Sequence, residues 1–509
     1  MICWDSDFAT LAYRHADRVL VRDASRSTTY GESFARAAGL ADHLAREGVG
    51  PGVAVATLVA NGIEAVWASL GVTLSGAAEV PLNVQQSAAE RAHCLALASV
   101  EHIVTNAEYA DALPAGARVH RLETIEAATI APLRWIRPPP AAHGRILFTS
   151  GTTGEPKGVV HTHHGRWLAN LLLRAHLPFT PRPGDDLLLM TPFCHGASLL
   201  AYAWMATGAS VTLLPGLMPD VVLPLLRTGR VNSVFAPPTV LAKLMSLLGN
   251  ERLSKVRAIF CGTATLPREL YRATRRTLGP VVRITYGMTE IFNPITVLEA
   301  SEVDRAYGDD NGGDERGACL GWPASGVDLE IRDEQGRAES WGHAGEIYVR
   351  APHAFAGYLT RLGFEPRDPR QLHATGDIGT LDERGLLYLA GRMHDVIKSG
   401  GYKVAPQQVE EQLAQDVAES TVSIVGLPSQ YWGEIIVGVV EDPPPGWRER
   451  RFEHLDALSP HKRPRLLVAL PELPRNAIGK INRRAIVEQI LTRYTLVDGA
   501  HPRLVARHQ

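Results

Sequence analysis

Residues 53–82 read as an apolar run, a stretch of helical period, and a second apolar run. The run at 53–59 suits a buried strand, 63–74 a helix and 78–82 a second strand. A strand–helix–strand unit implies a parallel sheet. Similar alternation returns at 231–248, 258–261 and 281–286, so an α/β architecture is expected. Further on, 328–332 and 346–350 alternate apolar with polar positions, the pattern of a half-exposed antiparallel sheet. Beyond about Arg392 the texture changes: Pro406 opens a short amphipathic helix with Val409 and Leu413 on one face, and short strands and helices follow. The expected fold is therefore a large N-terminal domain of α/β layers with a half-exposed β subdomain, residues 1–392. A small mobile α+β C-terminal domain, 393–509, is expected to follow. Arg137-Pro-Pro-Pro140 reads as a stiff linker, and Asp309-Asp-Asn-Gly-Gly-Asp314 as a solvent loop without chemistry.

Composition narrows the function classes. The 509 residues exceed what one core usually holds, and 45% apolar with 21% charged residues is ordinary for a soluble globular protein. A net charge of −2 offers no broad basic field for nucleic acid or an anionic membrane. The five cysteines (Cys3, Cys94, Cys194, Cys261, Cys319) are scattered and odd in number, which argues for reduced thiols and a cytoplasmic setting. Asp5 and Asp7 near the start do not suit a signal peptide. The long apolar stretch 187–214 is broken by Pro192, His195 and glycines and reads as core, not as a membrane span.

The strongest local signal is Thr149-Ser-Gly-Thr-Thr-Gly-Glu-Pro-Lys-Gly158, directly after the apolar segment Ile146-Leu-Phe148. Its backbone can approach an anion closely, and its amides and hydroxyls can point at phosphate oxygens. Lys157 adds a movable positive charge. The residue after Lys157 is Gly158, so the spacing is not that of the nucleoside-triphosphatase loop. His161, His163 and His164 follow without a Cys or carboxylate that pairs with them, and ordinary polar contacts are expected there in place of a metal site.

This loop resembles the signature loop of the acyl-adenylate-forming superfamily, which includes acyl-CoA synthetases, peptide-synthetase adenylation domains and luciferase. Further motifs occur in that family's order between Tyr30 and Val487. The resemblance implies roles residue by residue. Thr149, Ser150, Gly151, Thr152, Thr153, Gly154 and Lys157 would hold the ATP phosphates. In Tyr286-Gly-Met-Thr-Glu290, the Tyr286 ring would stack on adenine, Gly287 would also contact the nucleotide, Thr289 would meet the α-phosphate, and Glu290 would help hold Mg²⁺ as a hard oxygen ligand. Gly262, Thr263 and Ala264 would run along the adenine and the acyl pocket. Asp377 in Thr375-Gly-Asp377 would take the ribose hydroxyls, with Arg392 reaching ribose or phosphate. Lys480, in Pro474-Arg-Asn-Ala-Ile-Gly-Lys-Ile-Asn482, would be the catalytic lysine. Coenzyme A would pass Gly400 and Gly401 in Lys398-Ser-Gly-Gly-Tyr402 and stack on Trp432, and the small domain would swing about His394, where the family usually has Asp or Lys.

The implied activity is ATP-dependent activation of a carboxylic acid as acyl-AMP, then transfer to CoA. The acyl pocket would be flanked by His195, Thr263, Ile291, Phe292 and Asn293. No aspartate stands between Thr191 and Ala201 to hold an ammonium, so an amino acid is not expected. Ser233-Val-Phe-Ala-Pro-Pro-Thr239, Glu290-Ile-Phe-Asn293 and Tyr431-Trp-Gly433 are most similar to the aryl-CoA ligases, 4-chlorobenzoate–CoA ligase among them. An aromatic or medium-chain monocarboxylate is expected, because the pocket segments carry no Lys or Arg for a second carboxylate; were one turned over, Arg283 is the candidate partner. The alternatives are loading of a carrier-protein pantetheine arm, and a nucleotide-binding relative that has lost catalysis. A monomer or homodimer with no nucleic-acid or membrane partner is expected.

Overall fold

The computed structural model describes residues 4–111, 113, 116–128, 138–149, 157–308, 316–399, 402–417, 420–449, 452–475 and 480–507. Residues 150–156, 309–315 and 400–401 lie outside these, and with them most of the Gly/Thr loop, the expected solvent loop and the Gly400–Gly401 pair.

The expected strand–helix–strand unit is present as Ala54–Leu58, Ile63–Leu74 and Ala78–Leu82. Its two strands pair in parallel, and every helix residue except Glu64 is buried. They belong to an eight-stranded sheet that also carries His143–Thr149 and Lys157–Thr162, the antiparallel strands on either side of the Gly/Thr loop. Two helices begin at capping boxes supplied by the sequence. Thr29 and Glu32 form a capping box for Tyr30–Arg46, and Ser87 and Glu90 form one for Ala88–Leu97.

A second sheet of thirteen strands has a parallel centre: Ser210–Leu213, Asp186–Leu189, Ser233–Phe235, Ala258–Cys261 and Val282–Tyr286 lie side by side. It continues through antiparallel strands to Leu387–Arg392, His373–Leu381, Ala344–Arg350 and Asp328–Arg332. The outermost of these show the half-exposed alternation expected of them. The carboxyl ends of three of these parallel strands run into expected site segments, as is usual for ligand sites in open α/β sheets. Leu189 leads to His195, Cys261 to Gly262, and Tyr286 to Glu290.

After Arg392 a separate five-stranded sheet begins, built on Val422–Ser429 and Gly433–Glu441. Period-two alternation along these strands fills both faces. Ile424, Ile436 and Val440 pack with Val409 and Leu413 of the helix Pro406–Asp416. Val425, Leu427, Ile435 and Val437 pack with Ile486 and Ile490 of the helix Arg483–Arg493.

The eight-stranded sheet hides an ion cluster. Glu79 lies opposite Arg145 in the strand pairing. Its Oε2 is 3.6 Å from Arg145 and 3.7 Å from Arg166, with every side chain about 2% exposed. Arg145 also donates to the Ser198 hydroxyl at 2.8 Å and to the Cys194 carbonyl at 3.3 Å, and so holds the turn that carries His195. One carboxylate thus serves two buried guanidiniums. Glu79→Ala leaves both without it and should lower unfolding stability by about 3–5 kcal/mol, read as a shift in denaturant midpoint.

Candidate active site

The site assembles around Asp377. This carboxylate, 6% exposed, accepts from the Tyr286 hydroxyl at 2.5 Å on one oxygen and from Arg392 Nε at 3.1 Å on the other. Asp377 and Arg392 face each other across neighbouring strands, so the pairing register sets their meeting. Burial, reinforced by the adjacent carboxylate, holds the Tyr286 hydroxyl well above its ordinary pKa, so it stays a donor. Close backbone approach shapes the floor. A side chain on Gly262 would come within 2.8 Å of the Thr285 carbonyl, and one on Gly287 within 2.2 Å of Asn293 Oδ1. Thr263 takes φ of +69°, a left-handed conformation rare for a β-branched residue and a mark of a constrained segment.

Glu290 accepts from the Tyr358 hydroxyl at 3.0 Å, and its backbone carbonyl accepts from Phe355 N–H at 2.8 Å. Burial raises its pKa, against the pull of Tyr358 and Arg392. The Lys157 ammonium stands 5.6 Å from the centre of the Tyr358 ring, so Lys157 and Glu290 both meet one tyrosine, the first at its ring and the second at its hydroxyl. A half-buried carboxylate near Lys157 fits Mg²⁺.

His195 interrupts the turn Phe193–Ala197 with non-helical angles. Burial pushes its imidazole down to about 4, with repulsion from Arg145 and Lys480 adding to the effect, so it is neutral near pH 7. Ile291 and Phe292 are buried next to Asn293. Lys480, from the C-terminal unit, keeps an exposed face yet lies within electrostatic reach of Arg392, Asp377 and His195. Burial lowers its pKa; Arg392 pushes the same way and Asp377 opposes. The structure thus brings Tyr286, Asp377, Arg392, His195 and Lys480 to one place, although they come from both units.

Other expectations fare differently. Of the residues expected to hold the ATP phosphates, only Thr149 and Lys157 are described. Gly400 and Gly401 are not, and His394 is described by its backbone alone, in the turn Met393–Asp395. Trp432 is not an open platform: the Arg465 guanidinium lies 3.5 Å over its ring and its N–H donates to the Gly499 carbonyl at 3.0 Å. Neighbouring Tyr431 is the exposed aromatic, at 61%. Arg283 donates to the His176 carbonyl at 2.8 Å and pairs with Glu299, which corrects its candidacy as a partner for a second carboxylate. Sequence reasoning passed over Tyr358, which carries no motif. It also passed over Arg483, which binds Asp395 of the expected hinge turn and, at 2.9 Å, Glu410 of the small unit.

The fold and this constellation define an adenylate-forming enzyme. Residues 8–359 match the AMP-binding enzyme family, and the chain belongs to it. Its class is the ATP-dependent, AMP-forming acid–CoA ligases, which work with ATP, Mg²⁺ and coenzyme A. A 2-succinylbenzoate–CoA ligase of Bacillus cereus is 30% identical over 484 residues, covering 93% of this chain and 96% of the relative. Among solved structures, o-succinylbenzoate CoA synthetase (MenE) of Bacillus subtilis with its acyl-adenylate intermediate superposes with a TM-score of 0.81 at 25% identity, covering 96% of this chain and 98% of that one. The amide bond synthetase McbA of Marinactinospora thermotolerans gives 0.79 at 27% identity, over 95% and 99%. No helix among the described residues is long and apolar enough to cross a membrane.

Tyr358→Phe removes the hydrogen bond that lowers the Glu290 pKa, so the carboxyl should need a higher pH to ionise. The acid limb of Mg²⁺-dependent pyrophosphate release should move to higher pH by less than about one unit, since such a bond is worth ~1 kcal/mol. An unmoved acid limb in the pH–rate profile counts against ionised Glu290 as a metal ligand.

Proposed function

We propose that this enzyme activates an aromatic monocarboxylic acid and transfers it to coenzyme A. The acid's carboxylate oxygen bonds to the α-phosphorus of ATP while the bond to pyrophosphate breaks. The CoA thiolate then bonds to the acyl carbon, and AMP leaves with the electron pair. The protein needs no nucleophile of its own. Its work is positioning and charge stabilisation.

The family resemblance gives each residue its part. Lys480 lies between the acid and an α-phosphate oxygen and reduces their repulsion. Asp377, oriented by Tyr286 and Arg392, takes the ribose hydroxyls. The Tyr286 ring packs on adenine, and Thr289 meets the α-phosphate. Glu290 holds Mg²⁺, which offsets charge on the triphosphate when bound. His195, Thr263, Ile291, Phe292 and Asn293 surround the acyl group. The observation that carries this reading is the approach of Lys480 to Asp377, Arg392 and His195, an arrangement suited to adenylate formation.

Thioester formation then calls for a second arrangement. The small domain, 393–509, rotates about His394, withdraws Lys480 and brings up the face carrying Gly400 and Gly401. Because Trp432 is covered by Arg465, exposed Tyr431 beside it joins Trp432 as a candidate platform for the CoA adenine. The protein is proposed to be cytoplasmic, as a monomer or homodimer.

The relatives' named substrate, 2-succinylbenzoate, bears two carboxylates. The segments assigned to the acyl group offer none of the cations a second carboxylate needs, because His195 is neutral and Arg283 is engaged elsewhere. An acid panel read by pyrophosphate release, with CoA, with a carrier protein and without either, tests substrate and acceptor together. Aromatic monocarboxylates with free CoA should be fastest. Efficient turnover of 2-succinylbenzoate overturns the monocarboxylate reading, and turnover confined to the carrier protein overturns CoA as acceptor.

Lys480→Ala should cut adenylate formation by about 10²-fold or more while thioester formation from supplied acyl-adenylate stays near wild type. Single-turnover assays of the two half-reactions check this, and equal loss in both contradicts the rotation.

A further inference from the structure

We propose that His161 is a positioning residue that sets the phosphate-facing and acyl-facing parts of the site at once, through its N–H on Thr289 and its ring against Phe292. The inference rests on the assignment of Thr289 to phosphate and Phe292 to the acyl group given above.

His161 lies on Lys157–Thr162, the strand that leaves the Gly/Thr loop, and is fully buried. Its Nε2 is 2.7 Å from the Thr289 carbonyl. A carbonyl only accepts, so Nε2 carries the proton. Its ring stacks on Phe292 with centroids 3.7 Å apart and planes 13° from parallel. Burial pushes the imidazole down to about 3, so the neutral tautomer holds throughout the working pH range. Its other nitrogen, Nδ1, is buried without a partner. A core position chosen for packing alone would favour Phe or Leu, which bury no polar atom. Histidine at this place supplies a flat face and a donor together.

The surroundings make the pairing consequential. Lys157 and His161 are four residues apart on one strand and share a face. Lys157 stands over Tyr358, which holds the Glu290 carboxyl, and His161 holds the Thr289 carbonyl. One strand therefore reaches both members of the Thr289–Glu290 pair. The rest of that segment is gripped by His353, whose Nε2 donates to the Phe292 carbonyl at 2.9 Å, and by Phe355 N–H on the Glu290 carbonyl. Loss of His161 frees the Thr289 end and the Phe292 ring, which none of these other bonds restrains.

Two variants of the full chain separate the contacts. His161→Phe keeps a ring and removes the donor. His161→Gln keeps a donor at the Nε2 position and removes the stack. Calorimetric binding of AMP and steady-state pyrophosphate release are measured for both beside the wild type. In His161→Phe the Kd for AMP should rise and kcat should fall ~10-fold, with the KM for the acid within ~2-fold, because a buried carbonyl has lost its partner. In His161→Gln the KM for the acid should rise ~5-fold, with kcat and the Kd for AMP within ~3-fold, because only the aromatic contact is lost. Equal changes of the same parameter in both variants overturn the proposal. So does a lowered Tm with unchanged constants per folded molecule. If the wild type releases pyrophosphate with no acid tested, the acid–ligase reading fails by itself. AMP binding then decides: a Kd raised in His161→Phe alone upholds the role, and equal Kd values in all three overturn it.

Discussion

A buried carboxylate must be paired, and at Asp377 that requirement ties the large unit together where the nucleotide is expected to bind. Its two oxygens are taken by Tyr286 and Arg392, on two different strands, neither of which is its own. An uncompensated charge at this depth would be strongly unfavourable, which favours keeping the three residues together. Arg392 is also the last residue of its strand before the turn Met393–Asp395, so the same clamp anchors the chain at the expected hinge.

From that anchor the electrostatics of the site follow a common logic. His195 is kept neutral by burial and by two nearby cations, so it adds no charge to the segment proposed for the acyl group. Glu290 is shifted the other way by burial, and Tyr358 partly compensates. Lys480 enters from the second unit towards a carboxylate and an arginine that act on it with opposite sign. In the rotation proposed above, placing the lysine on the second unit would reconcile two half-reactions with conflicting needs: a cation beside the α-phosphate first, and an open path for a thiol afterwards. Arg483 is built into this arrangement, since it joins the hinge-side Asp395 to Glu410 only three residues after Lys480.

Much of the fold was legible because its cause is local. The helix Ile63–Leu74 and the strands Ala78–Leu82 and Ala258–Cys261 fall where their apolar patterns indicate. Pro406 starts the helix it was expected to start, and Val409 and Leu413 are fully buried on one face of it. The Gly/Thr loop was legible from its own composition, whereas the aromatic–threonine–glutamate turn and the basic loop were legible only through the family resemblance. The histidines after the phosphate loop were less so. They suggested ordinary polar contacts, and nothing local distinguishes His161, which meets Thr289 and Phe292, from His163, which meets the Gly76 carbonyl.

By itself, then, the sequence determined the α/β alternation, the change of texture after Arg392, the adenylate-forming family and the candidate side chains for its chemistry. Each of these depends on short-range periodicity or on motif composition. Only the tertiary structure decided which side chains meet. Tyr286 reaches Asp377 across 91 residues, Tyr358 reaches Glu290 across 68, and His161 reaches Thr289 across 128. It also decided that Trp432 lies beneath Arg465 and that Arg283 is engaged away from the acyl segments. Such contacts arise from strand register and from the packing of two sheets, in which a shift of one residue turns every side chain to the opposite face.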